Sequence, residues 1–379
     1  MTLGLAGAGT DHPYTLGIPQ TRVEEVLEEH AAELGADIRR GHELVAARPD
    51  GESVVVTVES GAGQQRIRAG YLAGCDGGRS TVRKQAGIDF PGTAATRFTL
   101  LGDVELADPD ALDFGLHAGP GGSVFVIPRP GYVRILTDDP ESPADQDTPV
   151  TLDLLESAVS GALGRPVEYV RGRVVLAGDA AHIHPPAGAI GVNVALDDAF
   201  NLGWKLAATV RGTAPAHLLG TYHAERHAAG AHVLASTRAQ GMLGDPGQPL
   251  TDLLTRVAAH PAGNRVLAEI VTGLDTRYAM PGGGDHPWIG RLAPNLKVST
   301  GAGVTDTATL LAGGRGLLLD LSGGQPATGW GGRLTVVSGT CPDHPDLRGL
   351  LLRPDGHTAW VDDGTGDLRA ACEHWFGTP

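Results

Sequence analysis

Twice in this sequence, at Asp76 and again at Asp179, a short apolar run ends in a glycine-aspartate turn that leads into a helical pattern. The first is Gly74-Cys75-Asp76-Gly77-Gly78-Arg79, followed by Ser80 or Thr81 as a helix cap. The second is Gly172-Arg173-Val174-Val175-Leu176-Ala177-Gly178-Asp179-Ala180-Ala181-His182, followed by Pro185-Pro186 and a long amphipathic stretch. Open α/β sheets bind ligands at the carboxyl ends of their strands, where backbone N–H groups and a helix N-terminus attract anionic groups. Either segment alone is also explained by an ordinary turn; the pair in this order constrains the chain to an α/β fold with a ligand site.

The intervening pattern is consistent with that fold. Pro19 opens a helix over residues 20–34, with Val23, Val26, Leu27, His30 and Leu34 at three- and four-residue steps and Gly35 ending it. Residues 43–47 and 54–58 flank a Pro49-Asp50-Gly51 turn, a hairpin signal, and residues 67–75 read as a further strand. Strands predicted over 98–101, 123–128 and 132–136 form a separate antiparallel sheet, followed by an acidic linker over 138–149 and a short helix over 152–163. The strand 173–177 returns to the first sheet. The helix over 193–210 carries Leu196, Ala199, Phe200, Gly203, Trp204 and Ala207 along one apolar face. Residues 214–275 are helical, and from about 285 short strands and a final helix over 368–375 form a small α/β unit. The expected domains are therefore 1–92 with 172–284, 93–171, and 285–379.

Composition narrows the function classes. The net charge is -15 and no basic run interrupts it, which excludes the electrostatic footprint of a nucleic-acid binder. The chain lacks an uninterrupted apolar run long enough for a membrane span and the basic start of a signal peptide, so a cytoplasmic location without a membrane partner is expected. Cys75, Cys341 and Cys372 stand far apart with no CxxC spacing, so neither a disulfide framework nor a metal site is expected.

Taken together, the two turns resemble the DG and GD motifs of the class A flavoprotein monooxygenases, the para-hydroxybenzoate hydroxylase superfamily. Within it the sequence is most similar to the aromatic polyketide hydroxylases, which carry a C-terminal thioredoxin-like domain. The resemblance extends over Gly17-Ile18-Pro19-Gln20-Thr21-Arg22-Val23-Glu24, Tyr222-His223-Ala224-Glu225-Arg226-His227, His286-Pro287-Trp288-Ile289-Gly290-Arg291 and Leu352-Arg353-Pro354-Asp355-Gly356. It implies a truncated FAD-binding domain of that type, an antiparallel-sheet substrate domain and a thioredoxin-like domain, with FAD and NAD(P)H as cofactors. The implied cofactor residues are Gln20 beside the flavin, Asp76 and Gly77 on the reductant side, Gly178 and Asp179 at the ribityl and pyrophosphate, and Pro186, Gly188, Gly191, Val192 and Asn193 around the ring. The implied substrate is a polycyclic aromatic small molecule acted on by a monomer or homodimer.

Three departures accompany the resemblance. No GxGxxG loop is present; Gly7-Ala8-Gly9 is followed by His12 and Pro13 and has no strand before it, so it is rejected as a phosphate loop. The family's Pro-x-Gly-Gly-Gln-Gly-x-Asn-Thr-Gly reads here Pro186-Ala187-Gly188-Ala189-Ile190-Gly191-Val192-Asn193-Val194-Ala195, which exchanges polar and glycine positions expected to line the isoalloxazine. Residues 164–170 are also shorter than the usual return from the substrate domain.

Three expectations follow: an FAD-dependent hydroxylase, a flavin-independent tailoring enzyme that cyclises, dehydrates or rearranges a polyketide on the same fold, or a non-catalytic partner. With flavin bound no side-chain nucleophile is needed. Without it, acid–base candidates are His182, His184, Asp179 and Arg129, although a histidine satisfying a loop carbonyl is the plainer reading of the first two. Phe125, Ile127, Tyr132 and Ile135 are the expected apolar wall for the substrate. Helical spacing assigns His223, Glu225 and Arg226 to ordinary salt-bridging, Phe200 and Trp204 to the core, and Arg79 and Arg83 to a helix surface or sheet cap.

Overall fold

The computed structural model describes residues 3–7, 10–90, 99–104, 114–119, 122–129, 132–138, 168–183, 190–241, 243, 248–323 and 329–379. Helix α1 (Gln20–Glu33) starts at Pro19, whose φ of -58° suits a helix entry, and stops at Gly35 in the left-handed region. It is held by these local signals rather than by packing. The expected apolar stripe is not buried, for Val26 and Leu27 remain 45% and 52% exposed.

Strands β1 (Glu43–Asp50), β2 (Ser53–Ser60) and β3 (Gly63–Ala69) form an antiparallel meander, with Gly51 at φ +59° in the first turn. The strand expected over 67–75 is two strands. It breaks at Gly70 and Tyr71, after which β4 (Leu72–Gly74) joins a different sheet. There it pairs in parallel with β10 (Val174–Leu176), flanked by the two-residue β9 (Val170–Arg171). The return of the later strand beside the earlier one is thus observed, and helix α2 (Thr81–Gln85) packs on both through Val82.

Between these segments, β5 (Thr99–Val104), β6 (Gly115–Gly119), β7 (Gly122–Arg129) and β8 (Tyr132–Asp138) form an antiparallel sheet in the order β5-β8-β7-β6. Strand β6 was not expected from the sequence. The linker over 138–149 and the helix over 152–163 lie outside the described residues, except for Asp138.

Helices α3 (Gly191–Val210) and α4 (Leu218–Gly241) pack together, followed by α5 (Pro249–Ala258) and α6 (Pro261–Thr272). The apolar face expected on α3 is not the buried one: Phe200 is 66% exposed, whereas Asp198, Asn201, Leu202 and Lys205 are buried. Charged side chains go inside because each finds a charged or hydrogen-bonding partner on another element, the condition under which burial is tolerated.

Beyond a hairpin of β11 (Lys297–Thr300) and β12 (Gly303–Asp306) and the short α7 (Thr307–Leu311) lies a mixed four-stranded sheet. It contains β13 (Gly316–Asp320), β14 (Leu334–Ser338), β15 (Gly349–Leu352) and β16 (Thr358–Val361) in the order β14-β13-β15-β16. Leucines 317–319 and 350–352 are buried along consecutive positions, as expected of strands covered on both faces. Helix α8 (Leu368–Phe376) adds Cys372, Trp375 and Phe376 to this core, which also receives Trp204 from α3. Among the described residues no helix is long and apolar enough to cross a membrane.

Candidate functional site

The parallel pairing of β4 with β10 brings the two glycine-aspartate turns side by side. At the first, a Cβ on Gly74 would meet Val82 at 2.7 Å and Leu176 at 2.9 Å, so only glycine lets α2 sit this close to both strands. Ser80 caps α2 by accepting from the Arg83 N–H at 2.9 Å, and Asp76 accepts from the Val82 N–H at 3.0 Å and from the Ser80 hydroxyl. Burial alone would raise the Asp76 pKa; the Ser80 hydroxyl and the Val82 N–H outweigh it and hold the carboxyl below the usual range. Gly77 takes the left-handed conformation at φ +75°.

Arg83 joins the two turns. It is buried and donates to the carbonyls of Gly78, at 2.8 Å, and Ala180, at 3.0 Å, with its guanidinium 3.8 Å from the Phe90 ring centroid. The sheet-capping reading of Arg83 holds and the helix-surface reading does not.

At the second turn Gly178 has φ +61° and the chain makes one 3-10 turn over Gly178–Ala180, leaving the Asp179 carboxylate exposed at the end of β10. The Gly178 N–H donates to Asp198 at 2.8 Å. His182, a candidate acid–base group, is instead buried, stacked on Tyr169 and bonded through Nε2 to the same Asp198 oxygen at 2.7 Å. Its partner is a carboxylate on α3, not a loop carbonyl, and its burial removes it from a ligand-facing role. His184, Pro186 and Gly188 lie outside the described residues.

Helix α3 begins at Gly191, and Ile190 before it supplies no side-chain cap; Gly191, Val192 and Asn193 form its first turn, with Val192 56% exposed and Asn193 exposed. A helix of this length offers uncapped N–H groups and the positive end of its dipole to an anion. Ile190 and Val194, expected to line a flavin ring, are buried beside Arg226. Gln20 stands at the exposed start of α1 with its amide bonded to Glu24 at 2.7 Å.

Cross-strand register divides the expected substrate wall. Arg129 pairs with Tyr132, Ile127 with Arg134 and Phe125 with Leu136, so these six share one face. Ile135 pairs with Val126 and lies on the opposite face with Val133; Val126 is fully buried. Three of the four residues therefore share a face and Ile135 does not, because one step along a strand reverses the face. Arg134 also grips Asp103 with two bonds of 2.7 and 2.8 Å, which hold that carboxyl below its usual pKa.

Glu225 and Arg226 are not a helix-surface pair. Glu225 accepts from Lys205 and Asn201, each at 2.7 Å, and from Arg353. Arg226 donates to Asp198, Val194 and Tyr278. The missed signal was the polar series Asp198, Asn201 and Lys205, spaced three and four apart on one side of the helix. A cavity of about 560 Å³ lies between α4, residues 275–281 and α8, lined by Ala228, Ala229, Thr276, Tyr278, Pro281 and Trp375. None of the expected site residues lines it.

These groups fit one end of FAD. The exposed Asp179, the left-handed Gly178 and the uncapped start of α3 suit the ribityl and ring end. For the pyrophosphate, no strand, glycine loop and helix precede α1 among the described residues.

The FAD binding domain family matches residues 2–166 and 165–237, and the aromatic-ring hydroxylase C-terminal family matches residues 286–379. The chain is 38% identical over 424 residues to the 12-dehydrotetracycline 5-monooxygenase/anhydrotetracycline 6-monooxygenase of Streptomyces rimosus subsp. rimosus, covering 100% of this chain and 84% of that protein. It is 38% identical over 395 residues to the dialkyldecalin synthase of Streptomyces rugosporus, covering 97% and 81%. The structure of BexE, studied for oxidation during BE-7585A biosynthesis, matches with a TM-score of 0.87 and 44% identity over 99% of this chain and 83% of that one.

Proposed function

Because the chain belongs to the FAD-binding-domain family of aromatic-ring hydroxylases, we propose that it is a tailoring enzyme of aromatic polyketide biosynthesis that adds oxygen to a polycyclic aromatic substrate. The observation that carries this is the convergence of the two turns at the ends of β4 and β10, tied by Arg83, with Asp179 left free.

FAD, when bound, supplies the activation of oxygen with electrons from NAD(P)H. Gly178, Asp179 and the first-turn N–H groups of Gly191, Val192 and Asn193 would hold its flavin end, with Gln20, Asp76, Gly77, Pro186 and Gly188 as further cofactor contacts by family pattern. Phe125, Ile127 and Tyr132 present an apolar wall to a flat ring system and keep water from it, while Arg129, across from Tyr132, meets the polar edge of the substrate. The order and polarity of β14-β13-β15-β16 support a thioredoxin-like C-terminal unit. The enzyme acts in the cytoplasm as a monomer or homodimer.

A second reading, flavin-independent cyclisation or rearrangement, draws support from the burial of Ile190 and Val194 and from a relative that is named as a synthase. The deciding experiment incubates the purified protein with FAD, removes free cofactor and records the visible spectrum, then offers a panel of polycyclic phenols with NADPH. Bound flavin and a product heavier by one oxygen support the hydroxylase. A colourless protein giving products isomeric with the substrate, or lighter by one water, supports the second reading.

A further inference from the structure

We infer that Asp198 and Arg226 are positioning residues: together they set the angle between the Gly178-Asp179 turn and the first turn of α3, and so decide where the flavin end of FAD rests. The inference depends on the flavin reading above.

Asp198, fully buried on α3, has one oxygen on the Gly178 N–H at 2.8 Å and on His182 Nε2 at 2.7 Å; its other oxygen takes Arg226 Nε at 2.6 Å. Arg226, on α4 and 1% exposed, then donates to the Val194 carbonyl in the first turn of α3 at 3.1 Å and to the Tyr278 hydroxyl at 2.7 Å. The turn after β10, the start of α3 and the body of α4 are thereby linked through one carboxylate and one guanidinium. Both backbone groups being held, the Gly178 N–H and the Val194 carbonyl, flank the exposed parts of the site. A carboxylate accepts several bonds at once and a guanidinium donates in a rigid fork, so the pair fixes direction as well as distance. Gly178 needs such a tether because its φ of +61° is one of several conformations open to glycine.

Arg226→Lys tests this, since an ammonium keeps the charge but does not reproduce the planar fork that reaches all three partners. Amide hydrogen exchange of the full chain without FAD is measured for residues 174–183 and, as reference, for residues 316–320 in the C-terminal sheet. FAD affinity is titrated separately. The expected result is exchange about tenfold faster over 174–183 with the reference peptide little changed, and FAD binding about tenfold weaker. Equal acceleration of both peptides makes the pair a general stabiliser and overturns the inference, as does no acceleration at all, or unchanged FAD affinity in a wild type that binds it. If the wild type takes up no FAD while residues 174–183 still respond selectively, the flavin reading fails and the tether stands. Should Arg226→Lys not fold, Tyr278→Phe removes a single partner of the guanidinium. A selective acceleration of about threefold then supports the inference, and wild-type exchange overturns it.

Discussion

Arg353 donates to both carboxylate oxygens of Glu225, at 2.7 and 2.9 Å, and so ties the C-terminal sheet to α4 through a fully buried cation. The same guanidinium bonds Asp355, lies 4.4 Å from the Trp375 ring centroid, and shares Glu225 with Lys205. Arg353→Met leaves Glu225 and Asp355 buried with less positive charge to balance them. Breaking a buried pair in this way costs about 3–5 kcal/mol, a loss that urea denaturation reads directly. A variant within 1 kcal/mol of wild type (about the spread of surface pairs) would show the network to be weakly coupled.

Stability should depend on pH at both ends. For Glu225, Asp198 and Asp355, burial alone would raise the pKa, but Arg353 beside Glu225 and Asp355, and the hydrogen bond to His182 together with Arg226 at Asp198, hold each carboxyl below its usual range. The unfolded chain then binds protons first, so the stabilisation present at neutral pH is lost as pH falls below about 4. Lys205 has the opposite chemistry and the same sign. Burial, then Arg353, lower its pKa to about 8 from 10.5, so between these values the unfolded chain carries more protons and stability rises with pH, by up to ~3 kcal/mol. Burial pushes Tyr278 up to about 12, and its contribution begins to fall once unfolded tyrosine ionises near pH ~10. Denaturation curves from about pH 7 to pH 10 should show the rise, and Lys205→Met should flatten it.

Gly290→Ala should be far costlier than Gly35→Ala, although both glycines have positive φ. A Cβ at Gly290 would stand 2.0 Å from the Tyr278 carbonyl oxygen, which is backbone, whereas Gly35 has open space around it. The expected losses are more than about 3 kcal/mol and about 1 kcal/mol respectively, compared by thermal unfolding.

Ile135 and Phe125 should separate by phenotype. Ile135→Ala removes a side chain from the face shared with buried Val126 and should destabilise by about 2 kcal/mol. Phe125→Ala, on the half-exposed face, should spare stability and raise KM for the polycyclic substrate. The reverse result would place the substrate on the other face of the sheet.

Asp179→Asn removes the charge of an exposed carboxylate and should leave stability within about 0.5 kcal/mol while weakening FAD binding about tenfold. Equal FAD affinity in variant and wild type would remove Asp179 from the cofactor site.

The local grammar of the chain was legible in the sequence alone. Pro19 and Gly35 bound α1, Pro49-Asp50-Gly51 bends the first hairpin, and the two glycine-aspartate turns end strands and open helices, because each depends on the φ preferences and caps of a few neighbouring residues. The family pattern extended this reading to a ligand site whose two turns the parallel pairing of β4 and β10 does bring together. What needed tertiary structure was the direction of each side chain and its distant partners. The face of Ile135 depended on a register set by a neighbouring strand, the break at Gly70 on which sheet each half joins, and the burial of Asp198 and Lys205 on Arg226 and Glu225 from another helix. Apolar periodicity placed Phe200 inside and left these charges outside. A buried ion pair reverses that order only when its partner arrives from elsewhere in the chain, and a one-dimensional pattern carries no record of that arrival.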